Sequence, residues 1–154
     1  MALGSIYRQT PPHRISILHS RAARNIMEFR ENIVREYGLC SPEWLVLGFV
    51  ASTTPTGGVK VGDIASELDV QSTYVTGTLR KLESKELIKL QAGPADRRVR
   101  MITVTKKGAA VFEALEAEFV KQIDSALGDA GEAVVRNYLD VLQVISAAHH
   151  KATL

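Results

Sequence analysis

Cysteine is nearly absent from this 154-residue chain: Cys40 stands alone. One thiol cannot form an internal disulfide framework, and it falls short of the several cysteines a structural zinc site usually draws on. Histidine is scarce too, with four scattered residues. There is no glycine-rich phosphate loop either, so the residues assemble no triad, metal cluster or nucleotide site. Neither an enzyme nor a cofactor-dependent or metal-dependent protein is expected. No apolar run approaches the ~20 residues that cross a bilayer. The opening MALGSIYRQTPPHR has neither the charged start nor the apolar stretch of a signal peptide, and a cytoplasmic protein without membrane contact is expected.

What is present is an ordinary globular composition, in a chain long enough for one compact domain or a small domain with a dimerisation extension. The net charge of +2 conceals an asymmetry. From Arg80 to Lys107 there are nine basic residues (Arg80, Lys81, Lys85, Lys89, Arg97, Arg98, Arg100, Lys106 and Lys107) against three acids, Glu83, Glu86 and Asp96. A local basic cluster in a near-neutral chain points to an anionic partner at one place; a solvated lysine-rich surface is the alternative.

Residues 1 to about 12 read as an arm that ends at Pro11-Pro12. Ile15, Leu18, Ala22, Ile26, Phe29 and Ile33 then recur at helical spacing, predicting one long helix that stops near Tyr37-Gly38. Ser41-Pro42-Glu43 combines a capping residue, a first-turn proline and an acid that complements the macrodipole. It opens a strongly apolar helix through Trp44, Leu45, Val46, Leu47, Phe49 and Val50, expected at the centre of the core. Thr53 to Gly58 is a loop. Two short helices follow, Gly62 to Leu68 and about Ser72 to Lys85, separated by Asp69-Val70-Gln71, which is the outline of a helix-turn-helix. The period then changes to 2: Leu87 to Gln91 and Arg100 to Val104 read as strands around turn residues Ala92 to Asp96. Thr105 can cap a helix carrying Phe112, Leu115, Phe119, Ile123 and Leu127. Gly128 to Gly131 breaks it, a last helix carries Val135, Tyr138, Leu142 and Ile145, and the tail from His149 is expected to fray.

A helix, a helix-turn-helix and a basic hairpin in that order make a winged helix, whose shape suits duplex DNA. The second short helix fits a major groove, where every base pair shows a distinct donor and acceptor pattern. The hairpin can lay arginines along phosphates or into the negative minor groove. Gln71, Ser72, Thr73, Tyr74 and Thr76 bring short polar side chains to the first turns of that helix, and its N-terminus can receive a phosphate. Capping by Ser72 and Thr73 is the alternative reading, but the five residues together exceed what a cap needs.

Pro94-Ala95-Asp96-Arg97-Arg98, followed after six residues by Thr105-Lys106-Lys107-Gly108, resembles the D-x-R wing signature and helix-opening Thr-x-x-Gly of the MarR family of transcription regulators. Gly38-Leu39, Pro42-Glu43-Trp44, Ile64 to Leu68, Tyr74-Val75-Thr76, Leu82-Glu83 and Leu87-Ile88 resemble that family's other landmarks in order and spacing, over about residues 15 to 148. The resemblance implies a mainly α fold with a small β wing: a winged helix-turn-helix over 41–104, with a helical dimerisation region over 13–38 and 105–148, in a single domain. It implies that Arg98 enters the minor groove, that Asp96 holds the wing tip or orients Arg98, and that Arg97 and Arg100 serve the phosphate backbone. After Tyr74-Val75-Thr76 the family often has a base-reading arginine where this chain has Gly77. Either specificity shifts to Gln71, Thr73, Thr76 and Arg80, or Gly77 lets the backbone approach DNA closely.

The resemblance also implies a homodimer, and the apolar stripes of the first and last two helices, longer than a small winged domain can cover, agree with it. A two-fold dimer implies a palindromic operator, and the family's commoner mode is repression. Many members bind a small aromatic or anionic effector, for which the candidates here are Arg14, His19, Arg24, Trp44 and Phe49; core packing for the two aromatics and a solvated helix face for the other three are the plainer readings. Cys40, just before a helix start, raises a redox-sensing regulator as one alternative. A winged-helix module that binds DNA without sequence preference, or binds protein, is another.

Overall fold

The computed structural model describes residues 10–54, 57–93, 100–127 and 131–152. In chain order they form α1 (Pro12–Glu36), α2 (Ser41–Thr53), α3 (Val61–Glu67), α4 (Ser72–Ser84), β1 (Ile88–Ala92), β2 (Arg100–Val104), α5 (Lys106–Leu127) and α6 (Gly131–Ala152). The fold is mainly α with a two-stranded antiparallel wing, as the sequence predicts. One difference lies at the end: the backbone of α6 stays helical through His149 and His150 to Ala152, where fraying is expected from the sequence.

Three helices end in the same way. Gly38, Asp69 and Glu86 each take a left-handed backbone, with φ of 68°, 50° and 62°. The next N–H reaches back to the helix: Leu39 to the Val34 carbonyl at 3.0 Å, Val70 to Ala65 at 3.0 Å and Leu87 to Leu82 at 3.0 Å. This is the Schellman stop. It reverses the chain after α1, makes the turn of the helix-turn-helix after α3, and launches the wing after α4. Glycine announces only the first; Asp69 and Glu86 hold the conformation against the steric preference of L-residues.

The start of α2 differs from the sequence reading. Cys40, not Ser41, occupies the N-cap position, and Glu43 closes the turn by accepting the Cys40 N–H at 2.9 Å. Ser41 lies inside the helix, where its N–H and hydroxyl both donate to the Glu31 carboxylate, and its oxygen accepts from Arg30 Nε at 3.1 Å. A residue ten positions back therefore takes the hydroxyl that local rules assign to capping.

The chain divides into two compact units, residues 1–117 and 118–154. The first holds the core. Val46, Leu47 and Val50 of α2 are fully buried, together with Ile64 of α3, Val75, Leu79 and Leu82 of α4, Ile88 and Ile102 of the wing, and Leu115 of α5. Leu45, part of the apolar run expected inside, is exposed. In the wing Leu90 pairs with Ile102 and Ala92 with Arg100. Val59 adds an antiparallel bridge to Ile102, with bonds of 3.0 and 2.8 Å, just after the segment that reads as loop in sequence.

Thr105 and Gly108 lock the end of the wing to the end of α4. The Thr105 hydroxyl donates to the Glu86 carbonyl at 2.7 Å and accepts the Gly108 N–H at 2.9 Å, capping α5. A Cβ on Gly108 would lie 1.9 Å from the Leu87 carbonyl oxygen, so only glycine permits this approach.

In the second unit Glu118 accepts from Gln122 Nε2 at 2.8 Å, which with Lys121 holds its carboxyl below the usual range. Arg136 pairs with Glu132 along α6. This unit exposes Val134, Tyr138, Leu139, Val141, Leu142, Val144 and Ile145.

Candidate nucleic-acid interface

Helix α4 has two chemically distinct faces. Val75, Leu79 and Leu82 are buried, as the sequence predicts, and the buried Thr78 hydroxyl is satisfied by the Tyr74 carbonyl at 3.1 Å. Ser72, Thr73, Tyr74, Gly77, Arg80 and Lys81 are exposed. Among the described residues no side chain caps this helix; Gln71 takes the N-cap position and Ser72 is already helical. The alternative in which Ser72 and Thr73 serve as caps therefore does not hold. The orphan N–H groups of the first turn are left for water or an anion. Thr76 is half-buried and donates its hydroxyl to the Ser72 carbonyl at 2.8 Å, so only its oxygen lone pairs remain for another partner.

Arg80 and Lys81 form no ion pair among the described residues. Lys81 is absent from the site read from sequence, though a helical projection from Gly77 puts it on the same outer face as Arg80. Gln71 and Tyr74, with Ala65, Ser66, Asp69 and Val70, line an open groove of about 700 Å³ between α3 and α4. Lys89 and Arg100 are exposed on the wing strands. The wing-tip candidates Asp96, Arg97 and Arg98 lie outside the described residues.

Two members of the basic stretch have internal partners. Lys85 Nζ donates to Glu43 Oε1 at 2.8 Å, to Glu43 Oε2 at 2.9 Å and to the Gly38 carbonyl at 2.7 Å. Burial pushes the Glu43 carboxyl up, but the bonds from Lys85 and from the Cys40 N–H outweigh it, so the group lies below the usual carboxylate range. Lys107 Nζ donates to the Lys85 carbonyl at 2.9 Å and pairs with Glu86 at 3.3 Å. Lys85 is therefore a strap that ties the end of α4 to the α1–α2 turn. Beside that turn, Ser41 and the neighbouring Arg35 hold the Glu31 carboxyl low.

The effector candidates fall on separate elements. Arg14, His19 and Arg24 are exposed along α1. Trp44 and Phe49 are half-buried on α2, and Trp44 Nε1 donates to Glu116 Oε1 at 3.2 Å. Cys40 is half-buried at the head of α2. No group of three histidine, cysteine or acidic residues suited to a metal occurs among the described residues, and none of their helices is long and apolar enough to cross a membrane.

Comparison with known proteins agrees with this architecture. The family model described as MarR family matches residues 55–99. The transcriptional activatory protein BadR of Rhodopseudomonas palustris is 35% identical over 82 residues, which cover 53% of this chain but only 47% of BadR. The HTH-type transcriptional regulator MhqR of Bacillus subtilis is 27% identical over 130 residues, 84% of this chain and 88% of MhqR. Among solved structures, the S. aureus MepR–DNA complex superposes with a TM-score of 0.73 at 20% identity, over 86% of this chain and 96% of MepR, a likeness of fold. The chain is thus similar in fold to MarR-family structures, and its segment 55–99 matches the model of that family.

Proposed function

We propose that the chain is a DNA-binding transcription regulator that acts as a homodimer, each copy setting α4 into a major groove of a palindromic operator with its wing over the adjacent minor groove. The observation that carries this reading is the two-faced α4. Its apolar side is spent on the core, while its outer side offers uncapped N–H groups, hydroxyls and two cations without ion-pair partners among the described residues. Gln71, Ser72, Thr73, Tyr74, Thr76 and Arg80 meet base edges or phosphates, and Lys81 joins them at the backbone. Arg98 enters the minor groove and Asp96 orients it, while Arg97 and Arg100 serve phosphates. The names of BadR and MhqR, both transcription regulators, support the same assignment.

Residues 13–38 and 105–148 form the dimerisation region, and 41–104 the DNA-binding lobe. The exposed apolar side chains of α1 and of α6 support a second copy as their cover. A small aromatic or anionic effector, met by Arg14, His19, Arg24, Trp44 and Phe49, releases the operator by favouring a dimer geometry that no longer matches it, which makes the protein a ligand-responsive repressor.

Selection of bound duplexes from a random library by the purified protein tests this reading. A palindrome with half-sites about one helical turn apart is expected. Failure to bind any duplex at low salt would remove the reading. On the selected operator, Arg98→Ala should weaken binding by at least about fivefold with the dimer intact; unchanged affinity rules out the wing assignment.

A further inference from the structure

Among the described residues nothing accounts for Gly77 at the centre of α4. A fold keeps glycine where φ is positive or where a neighbour leaves no room for Cβ. Gly38 has the first reason and Gly108 the second. Gly77 has neither: it lies in regular right-handed helix, and a Cβ built on it meets no atom within 4 Å. Gly62 also faces open space, but it lies in the first turn of α3, where helix propensity counts least. Gly77 is interior and flanked by Thr76 and Thr78, whose hydroxyls bond back to the Ser72 and Tyr74 carbonyls. The middle of α4 is thus made of weak helix formers.

On the helix surface the neighbours of Gly77 three and four residues away are Thr73, Tyr74, Arg80 and Lys81, all exposed. Gly77 is a gap in the middle of the outer face, with two hydroxyl-bearing residues on one side and two cations on the other. A locally unfavourable choice with no compensation inside the fold marks a position set by an outside partner.

Resting on the reading of α4 as the DNA-reading helix, we propose that Gly77 is a specificity-determining position whose bare Cα receives the C5-methyl group of an operator thymine. That methyl is the apolar projection on the floor of the major groove, and it needs a recess rather than a hydrogen-bonding side chain. Thr73 and Arg80 read the base pairs on either side, and the missing side chain lets α4 seat deeply between the phosphates.

The test uses the full-length protein, its selected operator and a scrambled duplex. Gly77→Ala should raise the melting midpoint by about 2–4 °C, since alanine is the better helix former. It should weaken operator binding at least tenfold and leave the scrambled duplex unaffected. Replacing each operator thymine in turn by deoxyuridine should weaken the wild type about three- to fivefold at one position per half-site, the loss of one buried methyl. At that position the Gly77→Ala protein should lose nothing further. Operator affinity unchanged by Gly77→Ala, or no thymine whose methyl matters, overturns the proposal. A lowered melting midpoint overturns it differently, by returning the glycine to the fold. A wild-type protein that binds no duplex removes the DNA-binding reading and this one together.

Discussion

Among the described residues, every buried apolar side chain lies between Ile33 and Leu115, whereas α6 turns Tyr138, Leu139, Val141, Leu142, Val144 and Ile145 to solvent. Both regions carry apolar residues at helical spacing, so the pattern alone does not distinguish them. What differs is the supply of partners within the chain. In the winged lobe α2 packs against α1, α3, α4 and β2, and Val46, Leu47 and Val50 lose all contact with water. In α6 Val144 keeps 70% of its surface. The first two-thirds of α1 behave like α6: Ile15, Ile17, Leu18, Ile26 and Met27 are exposed, and burial begins only at Ile33 and Val34. An apolar stripe of this extent that a chain leaves uncovered marks a surface meant for another molecule.

The largest effect expected from disturbing this contrast is in the lobe. Leu47→Ala removes a fully buried side chain from the centre of the core. It should destabilise the protein by about 2–5 kcal/mol, read from denaturant unfolding. A loss below 1 kcal/mol would mean that the lobe is far looser than its burial implies.

A smaller loss follows from cutting the strap between α4 and the α1–α2 turn. Glu43→Gln leaves the Lys85 ammonium without its carboxylate and should cost about 1–3 kcal/mol. The wild-type contribution has a definite pH dependence. The folded Glu43 value lies below the ordinary 4.5, so the stabilisation is fully present above about pH 4.5 and is lost as pH falls through the folded value. Glu43→Gln should therefore flatten the acid side of the stability profile; a profile that still fell as steeply would assign that loss to other carboxylates.

The smallest effect on the lobe should come from α6. Ile145→Glu should leave unfolding of the lobe within about 0.5 kcal/mol of wild type, yet, on the homodimer we propose, shift sedimentation toward monomer by placing a charge in its apolar interface. A variant that stayed fully dimeric would move the dimer contact off this face.

Much of the fold is legible in the sequence because its signals are local. The change of period at Leu87-Ile88, the cap at Thr105 and the buried stripe Val75, Leu79, Leu82 need nothing beyond neighbouring residues, and the structure has all three. Signals fail where a distant residue decides. Ser41 has the chemistry of a cap, but Glu31 takes its hydroxyl; Lys85 counts toward a basic surface in the sequence, but Glu43 and the Gly38 carbonyl hold it. The turns at Asp69 and Glu86 carry no glycine, so only the backbone reveals that they repeat the stop seen at Gly38. Of the candidate site, the α4 residues are readable from helical projection, Lys81 included. The meaning of Gly77 is not, because an empty space around a Cβ is a property of the packed fold.

The most direct measurement is sedimentation of the protein with its selected operator at a series of salt concentrations. Two chains per duplex, with the logarithm of the affinity falling linearly and steeply against the logarithm of salt, is the predicted result. One chain per duplex, or an affinity that salt does not change, would contradict a dimeric reader of duplex DNA.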